Sequence, residues 1–200
     1  MAEPRFDASK SVTFDLANGL VHLEGAPLRV LTPPDALLVL AGAAGPEATR
    51  DFGRALGGPM GQRVAQRLRG PAEGSDLHAV RGASLEAVVE HLGTELALVG
   101  LGSLAAERWG RALVLVVDHC PLAAGAGDVL HGAVLESALA AATGRAVSVG
   151  VVARDSVRAR FFVGSEGAMR RLHGLIGAGT GWAEAIARLH DGASPARGGA

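Results

Sequence analysis

The chain has 200 residues, of which 48% are hydrophobic, and 19 basic and 20 acidic residues give it a formal net charge of −1. This length suits one domain with a sizeable core, and the balanced charge lacks the basic footprint of a protein that binds nucleic acid or an anionic membrane. The single cysteine excludes an internal disulfide and a cysteine-rich metal cluster. The first residues lack the apolar segment of a secretory signal, and no apolar run is long enough to span a membrane, so we expect a cytoplasmic protein without membrane insertion.

A β-hairpin is the first predicted element. Residues 12–16 and 20–23 are apolar-rich runs that flank Asn18-Gly19. This dipeptide is the one best suited to a two-residue type I′ turn. We therefore expect two short antiparallel strands joined by that turn.

Helices are predicted over the next part of the chain. Residues 36–43 have a helical pattern, and Pro46 ends that run and opens a second helix. Proline lacks a backbone N–H, so we expect Pro59 to interrupt the helix again before residues 60–68. Ser84 is placed to cap a further helix.

Two pairs of strands follow. Residues 101–109 and 111–118 predict one hairpin, and residues 146–153 and 157–163 predict another. Strand pairs without a regular βαβ alternation indicate an α+β fold, with an antiparallel sheet of about four strands packed against helices.

The segment between the two hairpins gives the best fold clue. Residues 113–117 are five consecutive apolar residues, which predicts a strand in mid-sheet or covered on both faces. The small-residue helix that follows is predicted to start at Gly127 or Asp128, with Gly144 directly after its end. A helix docked against its own sheet is the interpretation that this pattern favours.

Two further helical segments are predicted near the end of the chain, at residues 168–176 and 182–190. Their connection, GAGTG, lacks the spacing of phosphate-binding loops, so we interpret it as the turn of a helical hairpin. This hairpin is expected either to pack over a pocket or to cover the sheet. Its apolar seam consists of Met169, Leu172, Ile176, Ile186 and Leu189.

The order of elements resembles a known family. The chain contains, in order, an N-terminal hairpin, a helical region with GRALGGPMGQRVAQRL, a second helix, a hairpin, a D-H-C-P-L-A loop, a small-residue helix ending in TGR and a closing hairpin. This order is similar to that of the 4-vinyl-reductase-type, hydrocarbon-binding domain. The small subunits of the TRAPP vesicle-tethering complex share that fold. The resemblance implies a ligand-binding or protein-binding module that tends to dimerise through its helices, and not a catalyst with a fixed triad.

The resemblance sets the expected domain boundaries. It covers residues 12–163, between a flexible N-terminus at 1–11 and a helical extension at 164–190, and residues 191–200 are expected to form a flexible tail. Many bacterial members of the family carry a cysteine-containing stretch in the last hairpin, which here reads VGVVARDSVRARFFVG. Without Cys or His in that hairpin we expect no metal site, and we expect no cofactor.

Cys120 is the first candidate for chemistry. A base within hydrogen-bond reach would activate its sulfur. In a strand, however, Asp118 and Cys120 face one way and His119 the other, which separates the obvious pair. We interpret Cys120 as a buried, unreactive thiol at a strand end, with nucleophilic catalysis as the alternative.

His131 is the second candidate. It lies about one turn into the small-residue helix, on a face shared with Asp128 and Leu135. We interpret it as a helix-surface histidine bonded to Asp128 or water, with contact to a ligand carbonyl or a metal as the alternative. Cys120, His131 and Val134 are the candidate ligand-binding residues. The substitutions Cys120→Ser and His131→Ala are expected to leave fold and function largely intact.

Glycines recur every four residues at Gly53, Gly57 and Gly61. This spacing permits close helix contact in a dimer if the helix survives Pro59, and loop glycines are the alternative. We expect a homodimer or an assembly with related subunits, and the candidate interface residues are Gly57, Gly61, Val64 and Leu68.

Three functions remain open. The leading hypothesis is a non-catalytic sensor or adaptor that binds an apolar small molecule between helices and sheet. The second is a TRAPP-like scaffold subunit that assembles with itself and with partner proteins, such as a small GTPase or its regulators. The third is a small enzyme that uses Cys120 or His131.

Overall fold

The computed structural model describes residues 12–23, 26–27, 32–69 and 84–191. The predicted N-terminus at 1–11, and all but the first residue of the predicted tail at 191–200, lie outside the described residues.

The first three strands form a small antiparallel sheet. They are β1 (Val12–Asp15), β2 (Leu20–Leu23) and β3 (Ala26–Pro27), in that order. Asp15 is paired with Leu20, so four residues connect the first two strands. The Asp15 carboxylate closes this loop by accepting hydrogen bonds from the backbone and side-chain nitrogens of Asn18. The hairpin is confirmed, but the predicted two-residue turn is wrong.

Helix α1 (Pro34–Arg69) is bent near its first third. Gly45 has φ 85° and ψ 171°, a conformation that glycine adopts freely, and Pro46 follows it without an N–H to donate. The Thr49 hydroxyl lies 3.0 Å from the carbonyl oxygen of Ala41 and 2.7 Å from that of Gly45, and so supplies a donor inside the bend. The predicted interruption at Pro46 is therefore confirmed as a bend.

The predicted interruption at Pro59 is wrong, because α1 continues through it to Arg69. Pro59 is exposed, whereas Gly57, Met60 and Gly61 are buried on the opposite side. The burial of these residues offsets the one backbone hydrogen bond that Pro59 cannot make, because tertiary packing commonly outweighs the low helix propensity of a single residue.

The predicted four-stranded antiparallel sheet is confirmed. Helix α2 (Leu85–Leu98) begins at the Ser84 cap, whose hydroxyl accepts from the backbone nitrogen of Ala87. The strands are β4 (Ser103–Trp109), β5 (Ala112–Asp118), β6 (Ser148–Arg154) and β7 (Arg158–Gly164), in the order β4-β5-β7-β6. Strand β5 is central, as its apolar run predicts, and β6 is an edge strand.

Helix α3 (Ala126–Thr143) joins the two strand pairs, and Gly144 ends it in the left-handed conformation that the sequence predicts. With α2 it covers the first face of the sheet, where the core includes Leu115, Val117, Ala159 and Phe161. Helices α4 (Glu166–Gly177) and α5 (Trp182–Asp191) form the predicted C-terminal hairpin. They cover the second face, where their apolar seam packs on Ala112, Val114 and Phe162.

The small residues of α1 face α3 in the same chain. A Cβ on Gly57 would overlap the carbonyl oxygen of Val134, and a Cβ on Gly61 would overlap that of Ala138. Val64 is fully buried in the same core, and Leu68 packs against it. A close helix contact of the kind expected between two copies is thus made within one chain, because the backbone and alanine side chains of α3 lie directly against these glycines.

Candidate functional site

A cleft of about 310 Å³ lies between α3 and the edge strand β6. We call it the α3–β6 cleft. Four ionisable side chains stand around it, Arg50 from α1, Asp128 and Glu136 from α3, and His173 from α4. Its remaining lining is apolar or small: Gly125, Val129, Gly132, Ala133, Val149, Gly150 and Val151.

Strand β6 is in contact with α3 through Glu136 and with α4 at Gly150. Glu136 accepts a hydrogen bond of 3.1 Å from the backbone nitrogen of Val149 and lies 3.5 Å from the Arg54 guanidinium. Gly150 lies under α4, where an added Cβ would stand 2.8 Å from the sulfur of Met169 and 3.1 Å from the His173 ring. A side chain at position 150 would therefore crowd the wall of the cleft.

His131 lies beside the cleft but is fully buried inside the protein. Its Nε2 is 2.9 Å from the carbonyl oxygen of Leu101, and a carbonyl can only accept, so Nε2 carries a proton. Its other nitrogen, Nδ1, lies 3.6 Å from the sulfur of Cys120. The interpretation of a surface histidine bonded to Asp128 is wrong, and this burial removes the basis for expecting His131→Ala to be harmless.

Cys120 reaches His131 because the strand ends before it. Strand β5 stops at Asp118, and His119 has φ 53°, a left-handed conformation rare outside glycine. The alternation of faces does not continue through that residue, so Cys120 packs against the core on the first face of the sheet. Strand geometry was expected to separate Cys120 from His119, and it is instead His131 of α3 that lies beside the thiol. The expectation of a buried thiol is wrong, because Cys120 is partly exposed.

Arg154 completes the cluster, although no sequence pattern singles it out. A β-bulge between Val151 and Ala153 shifts the register of β6, which turns the last residue of the strand toward the first face. Arg154 Nη2 lies 3.0 Å from the Cys120 sulfur, and Nε donates to Asp128 over 2.8 Å. Both terminal nitrogens also donate to the carbonyl oxygen of Leu122.

Opposing effects act on the pKa of Cys120. Partial burial raises the pKa, while the hydrogen bond with His131 and the positive charges of His131 and Arg154 lower it. The net effect places the pKa of the thiol below its ordinary value.

The pKa of His131 moves the other way. Burial lowers it, but the hydrogen bond and charge of Cys120, together with the Leu101 carbonyl, raise it above the ordinary histidine value. Both directions favour a thiolate beside an imidazolium.

Of the residues that the sequence nominates for ligand binding, the structure brings Cys120 and His131 together, while neither lines the cleft. Val134 is fully buried in the core beneath α1 and does not line the cleft either. The missed cleft residues come from four separate elements, and the sequence carries no local motif for them. For His131 a signal was present, because it falls at helical spacing with the apolar positions Leu135, Ala138 and Ala142.

Within the described ranges, no group of three or more His, Cys, Asp or Glu side chains is placed to hold a metal ion. None of the helices found there combines the length and apolarity needed to cross a membrane.

Comparison of the sequence with protein-family models and with curated proteins gives no match. The fold is similar to that of a crystal structure of the phenol-responsive sensory domain of the transcription activator PoxR with phenol. The TM-score is 0.54 at 11% sequence identity, over 91% of this chain and 92% of that one. At this identity the similarity shows a shared α+β fold across nearly the whole chain.

Proposed function

We propose that this protein is a non-catalytic module that senses or carries a small, largely apolar molecule, and that the α3–β6 cleft is its binding site. The observation that carries the proposal is the cleft itself, which combines an apolar floor with a few ionisable groups at its rim. Pockets for small molecules typically have volumes of about 300–1,000 Å³ and this kind of lining. The fold of a phenol-responsive sensory domain supports the same class of function.

The lining favours a single ring with one polar substituent. Val129, Val149 and Val151 offer an apolar surface to the ring. Glu136 can accept from a hydroxyl group, and His173 can donate to it or accept from it. The order of elements resembles the 4-vinyl-reductase-type domain, which adds support to a hydrocarbon-like ligand.

Calorimetric titration tests this proposal with phenol, and with benzene and cyclohexanol to separate the contributions of the hydroxyl group and the ring. Val129→Phe fills the cleft and is expected to weaken phenol binding by about tenfold or more, which corresponds to about 1.4 kcal/mol. The matched control is Val157→Phe, which adds the same atoms at an exposed position in the turn before β7, outside the cleft. Absence of binding by all three compounds at millimolar concentration, or equal weakening by both variants, contradicts the proposal.

A second candidate function is self-assembly, in the manner expected of a TRAPP-like subunit. Three large apolar side chains are exposed on α1, with exposed fractions of 74% for Val39, 64% for Leu40 and 45% for Phe52. Sedimentation equilibrium tests this candidate by comparing Phe52→Glu with Phe14→Glu, an exposed position on the small sheet. A dimer that only Phe52→Glu dissociates supports assembly, and a single-chain mass for the wild type at high concentration contradicts it.

A further inference from the structure

The cluster around Cys120 lies outside the lining of the cleft except for Asp128, and ligand binding leaves it unexplained. Three elements build it. Cys120 comes from the loop after β5, His131 from α3 and Arg154 from the end of β6. The sulfur is partly exposed, while the exposed fraction of the Arg154 side chain is 16% and His131 is fully buried.

The two nitrogen groups that face the sulfur are held in place by other contacts. The Arg154 guanidinium donates to Asp128 and to the carbonyl oxygen of Leu122. These bonds hold its Nη2 atom 3.0 Å from the sulfur. The Leu101 carbonyl fixes the His131 ring, which leaves Nδ1 facing the sulfur. Both cations therefore stabilise a thiolate without reorganising, as in reactive cysteine sites generally.

We propose that Cys120 is a site of reversible oxidation by hydroperoxides. The thiolate sulfur attacks one peroxide oxygen, a new S–O bond forms and the O–O bond breaks. The sulfur is oxidised to a sulfenic acid and the peroxide is reduced to an alcohol, or to water from hydrogen peroxide. The attacked oxygen carries its own hydrogen to the sulfur, which becomes the sulfenic acid directly, and the proton on His131 Nδ1 goes to the leaving oxygen. Thiolate, imidazolium and hydroperoxide thus give sulfenic acid, neutral imidazole and alcohol.

A hydroperoxide fits the geometry better than a larger electrophile. The sulfur is only partly exposed, so a small oxidant is favoured. The Arg154 and His131 donors can also stabilise the negative charge that develops on the leaving oxygen.

The way in which the sulfenic acid is reduced again follows from the number of cysteines in the chain. The chain has a single cysteine, so the sulfenic acid has no second cysteine in the same chain with which to form a disulfide. A small thiol reductant must therefore restore the protein in two steps. The first molecule of reductant forms a mixed disulfide and releases water, and the second releases the Cys120 thiol together with the disulfide of the reductant.

The experiment measures sulfenic acid formation by hydrogen peroxide at neutral pH, trapped with dimedone and followed by mass spectrometry of the intact protein. The wild type is expected to react about tenfold or more faster in its native state than in denaturant, because only the folded protein holds the Arg154 and His131 donors against the sulfur and the leaving oxygen. Cys120→Ser is expected to abolish the product. A native protein that reacts no faster than the denatured chain overturns the proposal.

A variant pair tests the role of Arg154. Arg154→Gln is expected to react about tenfold more slowly than the wild type, whereas Arg154→Lys keeps part of the rate because it retains the charge. The matched control is Arg158→Gln, which removes a guanidinium paired with Asp118 on the neighbouring strand and should change the rate by less than about twofold. Folding of each variant is checked by circular dichroism. A folded Arg154→Gln that is as reactive as the wild type overturns the proposal. If this variant does not fold, the proposal is tested by the comparison of native with denatured wild type.

Discussion

The two faces of the four-stranded sheet bury very different chemistry. The first face, under α2 and α3, includes the fully buried polar residues Glu95 and His131, and Cys120 packs at its edge. The cluster on the second face, under the C-terminal hairpin, consists of apolar side chains. At its rim Trp109 and Trp182 meet edge to face, with ring centroids 4.8 Å apart.

The difference shows where this fold can accommodate polar groups. Glu95 on α2 is matched by two guanidinium groups of α1, with Arg63 Nη2 and Arg67 Nη1 each 2.6 Å from a carboxylate oxygen. His131 is matched by a carbonyl and a thiol. Buried polar groups require such partners, and here the α1 guanidinium groups, the Leu101 carbonyl and the Cys120 sulfur supply them. The first face therefore holds the candidate chemistry, while the second contributes packing.

The largest expected effect is on the first face. Glu95→Gln keeps the side-chain volume but removes the charge that faces Arg63 and Arg67, and breaking a buried ion pair in this way costs about 3–5 kcal/mol. We expect the free energy of unfolding, measured by urea denaturation, to fall by an amount near the lower end because both arginines are partly exposed. A loss below about 1 kcal/mol would show that the charges on this face are dispensable.

The second face should respond to volume alone. Leu172 is fully buried there, so Leu172→Ala is expected to cost about 2–3 kcal/mol through lost contacts and a cavity. Leu172→Met, which nearly conserves volume, should cost less than about 1.5 kcal/mol. Urea denaturation of both variants checks this, and equal losses would contradict a face governed by packing volume.

The contact between α1 and α3 adds a third case to the comparison of the two sheet faces. It depends on glycines of α1, which have no side chain. Gly57→Ala is expected to cost about 1–3 kcal/mol, since its Cβ would overlap the Val134 carbonyl and force the helices apart. The neighbouring Gly58→Ala is the matched control. Its Cβ would stand 3.5 Å from the Ser137 hydroxyl, so thermal denaturation should show no loss of stability and a gain of up to about 1 kcal/mol from helix propensity.

The smallest expected effect concerns pH and the pair of Cys120 and His131. The folded-state pKa of Cys120 is lowered, so its contribution is lost as pH falls through that pKa. The folded-state pKa of His131 is raised, so its contribution is lost as pH rises through that pKa. Arg154 also faces the pair, and Asp128 is hydrogen-bonded to Arg154.

We therefore expect the stability difference between wild type and Cys120→Ser to shrink toward acid, where the Cys120 thiol is protonated, and toward alkali, where the His131 ring is neutral, and to be largest in between. Urea denaturation at a series of pH values, in reductant, measures it. A difference that does not vary with pH would show that the pair is neutral in the folded protein.

Sequence reasoning recovered the parts of the fold that local patterns determine. The five apolar residues of β5 predicted a central strand, Gly144 predicted the end of α3, and the C-terminal seam predicted the helical hairpin. It failed where one backbone or packing feature overrode the pattern. Three such features are the Asp15 carboxylate that lengthens the first turn, the buried side of α1 that carries the helix through Pro59, and the left-handed His119 that redirects Cys120.

The candidate site was harder to predict for the same reason. Cys120 and His131 could be nominated as reactive residue types, but their meeting depends on a backbone conformation at His119 that a non-glycine residue rarely adopts. Arg154 joins them only because a β-bulge reverses its direction, and the sequence of β6 gives no sign of that bulge. The α3–β6 cleft is built from four elements, and Arg50 on α1 lies far in sequence from the other lining residues, so only the tertiary structure brings them together.

The most direct test of the proposed function is the position of a bound ring, measured by nuclear Overhauser effects between phenol protons and the methyl groups of valine, leucine and isoleucine in the labelled protein. The proposed site predicts contacts from the ring to the methyl groups of Val129, Val149 and Val151, which surround the α3–β6 cleft. Contacts only to methyl groups of the second face, such as those of Leu172 and Ile186, or the absence of any contact at saturating phenol, would contradict it.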